Sequence, residues 1–158
     1  MKNVKYKDLS KLEKKLLDEA EKVMENAYNP YSNFYVGAAI LTEDDTIITG
    51  TNVENSAYGS TICAERSAIL KANSEGYRMY KSLAIIARGE DFDTTDVSAP
   101  CGSCRQMLYE SSQISEKDLK IILSTTKKDK IIVTSIEELL PLGFGPKELG
   151  IDVKKYQK

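Results

Sequence analysis

The stretch CAERSAILKANSEGYRMYKSLAIIAR, residues 63–88, decides the fold class. Its first part, CAERSAILKAN, is rich in good helix formers and is stopped at NSEGY, which predicts a helix over 63–74. SLAIIAR, at 82–88, is short and almost wholly apolar, the character of a strand covered on both faces. A helix feeding a doubly buried strand belongs to a layered α/β domain, with helices on both sides of a sheet.

Working outward, the same alternation continues downstream. GEDFDTTDVSAPCG reads as a polar loop, CRQMLYESS as a second short helix, LKIILST and KIIVTS as strands, and IEELLP as a helical turn. Upstream, FYVGAAILT and TIITGTNV read as two strands joined by the polar turn EDD, an antiparallel hairpin. Before them, residues 8–27 place Leu9, Leu12, Leu16, Leu17, Ala20, Val23 and Met24 at helical spacing with charge on the other face, and NPYSN breaks this amphipathic helix. The expectation is a three-layer α/β/α sandwich around a mixed five-stranded sheet. No internal repeat or linker divides the 158 residues, so one catalytic domain over 1–158 is expected.

Composition narrows the function. The formal charge of −2 and the scattered basic residues provide no field for a phosphate backbone, which argues against a nucleic-acid partner. KKDK at 127–130 reads as a solvated turn. The charged N-terminus MKNVKYKDLSKLEKK lacks the apolar core of a signal peptide, and no run approaches a membrane span, so a cytoplasmic protein without membrane contact is expected.

Three cysteines and no histidine define the chemistry. The absence of histidine removes His-based triads, His-rich zinc sites and the commonest general base. Cys101 and Cys104, in APCGSCRQ, have the C-x-x-C spacing that lets two sulfurs on the first turn of a helix bind one ion; alone, the pair equally suits a redox dithiol. Cys63 breaks that tie if the fold brings it near. All three fall where helices begin, where free N–H groups and a partial positive charge favour the thiolate. Three thiolates leave a fourth tetrahedral corner for water, an arrangement suited to catalysis. Glu65, two residues after Cys63, is placed to reach that water as a proton acceptor. Three thiolates also give a zinc centre a formal charge of −1, which weakens its acidifying effect, and Arg66 and Arg105 are the candidates to offset it.

CAERSAI followed by PCGSCRQ resembles the zinc-dependent cytidine deaminases, specifically the homotetrameric type with three cysteines; zinc deaminases with a Cys₃ site and a nonligating glutamate are a known class. NPYSNFYVGAAILT, GTNVENSAYGSTICAERSAILKANSEGY and EELLPLGFGP resemble segments of that family in the same order, over residues 25–148. The N-terminal helix, the acidic loop before APCG and the tail GIDVKKYQK depart from it.

The resemblance implies Cys63, Cys101 and Cys104 as ligands of one Zn²⁺ per subunit, with Glu65 as the proton shuttle. Asn52 and Glu54 match the pair that hydrogen-bonds the ribose hydroxyl, and residues two apart on a strand end can point to one side and converge on a sugar. Phe34 matches an aromatic that packs near the nucleoside, and Ala64 a position whose backbone contacts the pyrimidine. Tyr58 and Phe144 match residues that line the site from a neighbouring subunit of a homotetramer, and Arg66 one that donates to ligand sulfurs. The implied reaction is hydrolytic deamination of cytidine and deoxycytidine in pyrimidine salvage. The alternative is a deaminase of another aminopyrimidine nucleoside or a nucleoside antibiotic.

Overall fold

The computed structural model describes residues 1–157. Six strands form one mixed sheet: β1 (Lys2–Val4), β2 (Phe34–Thr42), β3 (Ile47–Thr51), β4 (Tyr80–Gly89), β5 (Lys120–Thr125) and β6 (Ile131–Ser135), in the order β1-β6-β5-β4-β2-β3. Only β4 and β5 run parallel, and the β2–β3 hairpin is antiparallel as expected. Four α-helices cover it: α1 (Lys11–Met24), α2 (Ala64–Ser74), α3 (Gly102–Ser115) and the short α4 (Ile136–Leu139).

The sixth strand corrects the expected five. Lys2–Val4 pairs antiparallel with β6 at the sheet edge. It is three residues long and charged, a common device for blunting an edge, and it has no apolar alternation by which to be read.

Each helix boundary has a local cause. Ser10 caps α1 in a reciprocal capping box: its hydroxyl accepts the Glu13 N–H at 3.2 Å, while the Glu13 carboxylate accepts the Ser10 N–H at 2.8 Å. The helix therefore starts three residues later than its apolar period suggested. Its stripe of Leu16, Leu17, Ala20 and Met24 packs on Ala39, Leu41, Ala84, Ile86 and Ile122, one face of the sheet. The other face, with Ala38, Ile40, Leu83, Ile85 and Ile121, receives Ala64, Ala68, Ala72 and Leu108 of α2 and α3. Alternate residues of β4 thus feed opposite cores, which is why SLAIIAR has no polar face.

Close approach of α2 to β3 sets the site. A Cβ on Gly50 would overlap the backbone of Ala64 and Ala68, so the absence of a side chain there lets α2 lie directly on the hairpin. The N-terminus of α2 is thereby held beside the end of β3, where the chain continues into Asn52 and Glu54.

Candidate active site

Cys63 and Cys101 are the N-cap residues of α2 and α3, and neither sulfur caps its helix. Cys104 lies on the first turn of α3 and is fully buried. The fold brings the three together: Cys63 Sγ is 3.9 Å from Cys101 Sγ, which is 3.5 Å from Cys104 Sγ, and all three sulfurs lie within 4.8 Å of one another. A tetrahedral zinc with Zn–S bonds of about 2.3 Å sets its sulfurs about 3.8 Å apart, so this cluster fits one ion. The donor set agrees, since soft thiolates on two helix N-termini suit zinc. Within the trio the charge is uneven. The hydrogen bond from the Cys104 thiol, with Arg66 and Cys101 assisting, holds the Cys63 thiol well below its ordinary range, and the same contact pushes Cys104 upward.

Arg66 sits on the first turn of α2 with its field on all three sulfurs. Its Nη2 donates to the Thr61 carbonyl at 2.7 Å, while its Nε is buried without an acceptor. A buried donor left over beside a cluster of sulfurs is what a thiolate ligand would satisfy. Arg105 is different, and the expectation of a charge-balancing role is corrected. Its Nε donates to the Pro100 carbonyl at 2.8 Å and its Nη1 to the Leu139 carbonyl at 2.9 Å, which ties the approach to α3 onto α4. Both of these bonds go to backbone carbonyls and neither to a sulfur.

Glu65 is 4% exposed on the first turn of α2 and lines the same cavity as Cys63 and Cys101. Burial raises its carboxyl above the ordinary carboxylate range, opposed by its own backbone N–H and reinforced by the charge of Cys63. A carboxyl moved in this direction takes up a proton more readily than an ordinary one, as a proton carrier must.

The cavity, of about 440 Å³, runs from the sulfurs to the end of β3. There the chain at 52–54 is pinned on both sides: Tyr28 N–H donates to the Asn52 carbonyl, Glu54 N–H donates to the Tyr28 carbonyl, and Val53 exchanges both backbone bonds with Ile62. Asn52 and Glu54 are buried and both line the cavity, while Val53 between them faces out. The period of two predicted for the pair is therefore present.

Both side chains are already bonded to the protein. Asn52 Oδ1 accepts the Val36 N–H at 2.9 Å and its Nδ2 donates to the Phe34 carbonyl at 2.8 Å, so the carboxamide extends the ladder beside β2. One N–H and one lone pair remain. Glu54 Oε2 accepts the N–H groups of Tyr31 and Ser32 at 2.9 and 3.2 Å, and Oε1 accepts the Tyr58 hydroxyl at 3.4 Å. Burial alone would raise this carboxyl, but those donors outweigh it and hold it below the ordinary range.

Phe34 and Ala64 also line the cavity. Tyr58 lies at its rim in the same chain, with the Tyr31 ring edge-on at 6.3 Å. Phe144 does not line it: the ring is 59% exposed on the segment after α4, whose carbonyl accepts a hydrogen bond from Gln106 Nε2. Ser32, Val36, Thr61, Ile85, Ser98 and Ala99 complete the wall, and none of them was assigned a role from the sequence. Ser98 and Ala99 immediately precede PCGSC, which was their only signal.

Comparison with known proteins agrees with this geometry. Residues 10–117 match the family model described as the cytidine and deoxycytidylate deaminase zinc-binding region. The chain is 46% identical to the cytidine deaminase of Sporosarcina psychrophila over 85% of its own length and 93% of the relative's. It is 42% identical to a probable cytidine deaminase of Dictyostelium discoideum over 85% of each chain. The crystal structure of cytidine deaminase from Burkholderia pseudomallei superposes with a TM-score of 0.73 at 39% identity, covering 82% of this chain and 97% of that one. With the three sulfurs converging on one point and the match running through all of them, this chain belongs to the cytidine and deoxycytidylate deaminase zinc-binding family.

Proposed function

We propose that this chain hydrolyses the amino group from C4 of cytidine and deoxycytidine, giving uridine or deoxyuridine and ammonia. The observation that carries the reading is a single cavity with Cys63, Cys101 and a buried carboxyl at one end, where buried Cys104 completes the sulfur cluster, and a fixed carboxylate and carboxamide at the other. Those ends match the reacting ring and the sugar of a nucleoside.

Cys63, Cys101 and Cys104 would hold the zinc, with Arg66 offsetting their charge. Bound zinc supplies Lewis-acid activation of water at neutral pH. Glu65 takes the proton of the attacking water and delivers it to ring N3; it then takes the second proton from the hydroxyl newly attached to C4 and passes it to the departing amine, so that ammonia leaves as the C4–N bond breaks and the C4 carbonyl forms. Its buried position supports both steps, because a raised carboxyl serves as base and then as acid. Asn52 and Glu54 use their remaining donor and lone pair on the ribose hydroxyl. Phe34 packs against the nucleoside, and the backbone at Ala64 contacts the pyrimidine.

Residues 1–158 act as one catalytic unit in a homotetramer, with Phe144 completing sites across subunits, whereas Tyr58, expected in the same role, serves the cavity of its own chain. Exposed Leu142, Phe144, Leu149 and Ile151 support association. The role is pyrimidine salvage in the cytoplasm, with a free nucleoside rather than a polynucleotide as substrate. No helix among the described residues is long and apolar enough to cross a membrane.

Ammonia release measured side by side on cytidine, deoxycytidine, cytosine and a short single strand, with metal analysis of the same preparation, tests the reading. Turnover of the two nucleosides with one zinc per chain is expected. Release only from another aminopyrimidine, or from the strand alone, would sink it. Light scattering of the purified protein decides the tetramer.

A further inference from the structure

We propose that Thr126, Lys127 and Lys130, on the turn between β5 and β6, are positioning residues for the substrate cavity, acting through the acidic loop at 90–99. This loop leaves β4 at Gly89 and ends at Ser98 and Ala99, which wall the cavity just before Cys101. Its own sequence, EDFDTTDVSA, supplies few apolar anchors. Phe92 folds back on Gly89, Thr94 Oγ1 donates to the Ala87 carbonyl at 3.1 Å, and Val97 packs against the core.

Arg88 Nη1 donates to the Glu90 carbonyl at 3.3 Å, and Arg88 and Asp93 form a β-bridge, so the start of the loop is held from β4; further restraint comes from the turn. Thr126 Oγ1 donates to Asp93 Oδ1 at 2.6 Å, Lys127 Nζ lies 3.5 Å from Asp93 Oδ2, and Lys130 Nζ lies 2.8 Å from Asp96 Oδ1. Asp96 Oδ1 also accepts the N–H of Val97 at 2.7 Å, so the carboxylate held by Lys130 orients the backbone entering Ser98. The turn itself is anchored: Lys128 pairs with Asp18 and Glu21 of α1, and Asp129 accepts the Thr125 hydroxyl. KKDK, which reads in the sequence as a solvated turn, is a bracket between α1 and the cavity wall. Both lysines that reach the loop are partly exposed, so each contact is small alone and screened by salt.

Cytidine carries no charge at neutral pH, so any effect of ionic strength on its KM reports pairs within the protein rather than attraction of the substrate. The inference rests on cytidine being the substrate. The test compares the wild type, the double variant Lys127→Gln/Lys130→Gln and the charge-retaining Lys127→Arg/Lys130→Arg across sodium chloride concentrations, with zinc content and hydrogen exchange of residues 90–99 measured on each. The Gln pair should raise KM about two- to tenfold at low salt, leave kcat and zinc in place, and speed exchange in the loop. The Arg pair should restore KM, and wild-type KM should climb with salt toward that of the Gln variant. An unchanged low-salt KM in the Gln variant, or a lower melting temperature and kcat with KM unmoved, would overturn the proposal. If the wild type releases no ammonia from cytidine, the functional reading falls, and the exchange data alone decide the latch: unaltered protection at 90–99 removes it.

Discussion

The two ends of the cavity are built on opposite principles. At the sulfur end the groups sit on helix starts and leave bonding capacity unspent: the thiols face one another, Arg66 Nε has no acceptor, and Glu65 is buried with its carboxyl pushed upward. At the other end, Asn52 and Glu54 are bonded to the backbone of the loop and strand they face. One end is completed by what it binds; the other is complete beforehand and lends out what is left. Changes at the sulfur end should therefore abolish chemistry and cost the fold only what the bound ion contributes, whereas changes at the sugar end should cost binding and the protein's own stability together.

The largest effect separates metal from fold. Cys104→Ser should remove zinc from the purified protein and reduce deamination to background, read by metal analysis and ammonia release. Adding a chelator to the wild type should lower its melting temperature, because an ion that binds only the native state stabilises it by mass action. The Ser variant, having no ion to lose, should show no such shift. A chelator shift of equal size in both would break the contrast.

Next in size, Glu65→Gln should keep zinc and lose about 10²- to 10⁴-fold in kcat, the usual worth of a placed proton carrier. Its melting temperature at pH 7 should equal or exceed that of the wild type. The carboxyl is raised by burial, so its ionisation opposes folding as the pH climbs past the unfolded carboxylate value, and an uncharged isostere escapes that cost. A variant that melts early would place Glu65 with the structural residues instead.

This division of labour was only half legible in the sequence. Apolar period and helix formers located α1, α2, α3 and five strands, because each buries a defined face. The edge strand Lys2–Val4 escaped, since it buries almost nothing. Glu65 and the three cysteines were legible because their residue types and spacing are rare, although only the fold shows that the sulfurs meet. Arg105 was misjudged: an arginine after a cysteine motif reads the same whether it faces a sulfur or a carbonyl, and here carbonyls separated by the chain from Pro100 to Leu139 claim it. The bonds of Asn52 to Phe34 and Val36 were equally invisible, because they are made to backbone, which has no residue-type signature.

Asn52→Ala tests the pre-bonded end. It leaves the Val36 N–H and the Phe34 carbonyl without these partners, and a buried group left unpaired costs about 1–3 kcal/mol. Denaturant unfolding should show a loss of that order together with a raised KM for cytidine, and zinc should be retained. A raised KM with unaltered stability would mean that the amide serves the ligand alone and that the two ends do not differ in kind.

The smallest effect sharpens the same point through pH. Glu54 is ionised in the fold and held so by Tyr31, Ser32 and Tyr58, with its carboxyl below the ordinary range despite burial. A carboxyl depressed in the native state stabilises it above the unfolded value of about 4.3, and that contribution is lost as the pH falls through the lower, folded value. Glu54→Gln keeps one oxygen for the two N–H groups, and gives up the charge in those bonds together with the acceptor of the long Tyr58 bond. The variant should thus be less stable than the wild type at pH 7 by on the order of 1 kcal/mol, the difference between charged and neutral acceptors. The gap should begin to narrow as the pH drops below the unfolded value of about 4.3 and go on narrowing as the wild-type carboxylate takes up its proton at its lower, folded value. Melting curves of both proteins from pH 7 to pH 3 measure it directly. If the gap stays constant across that range, Glu54 acts through its shape and not its charge, and the sugar end is held by packing.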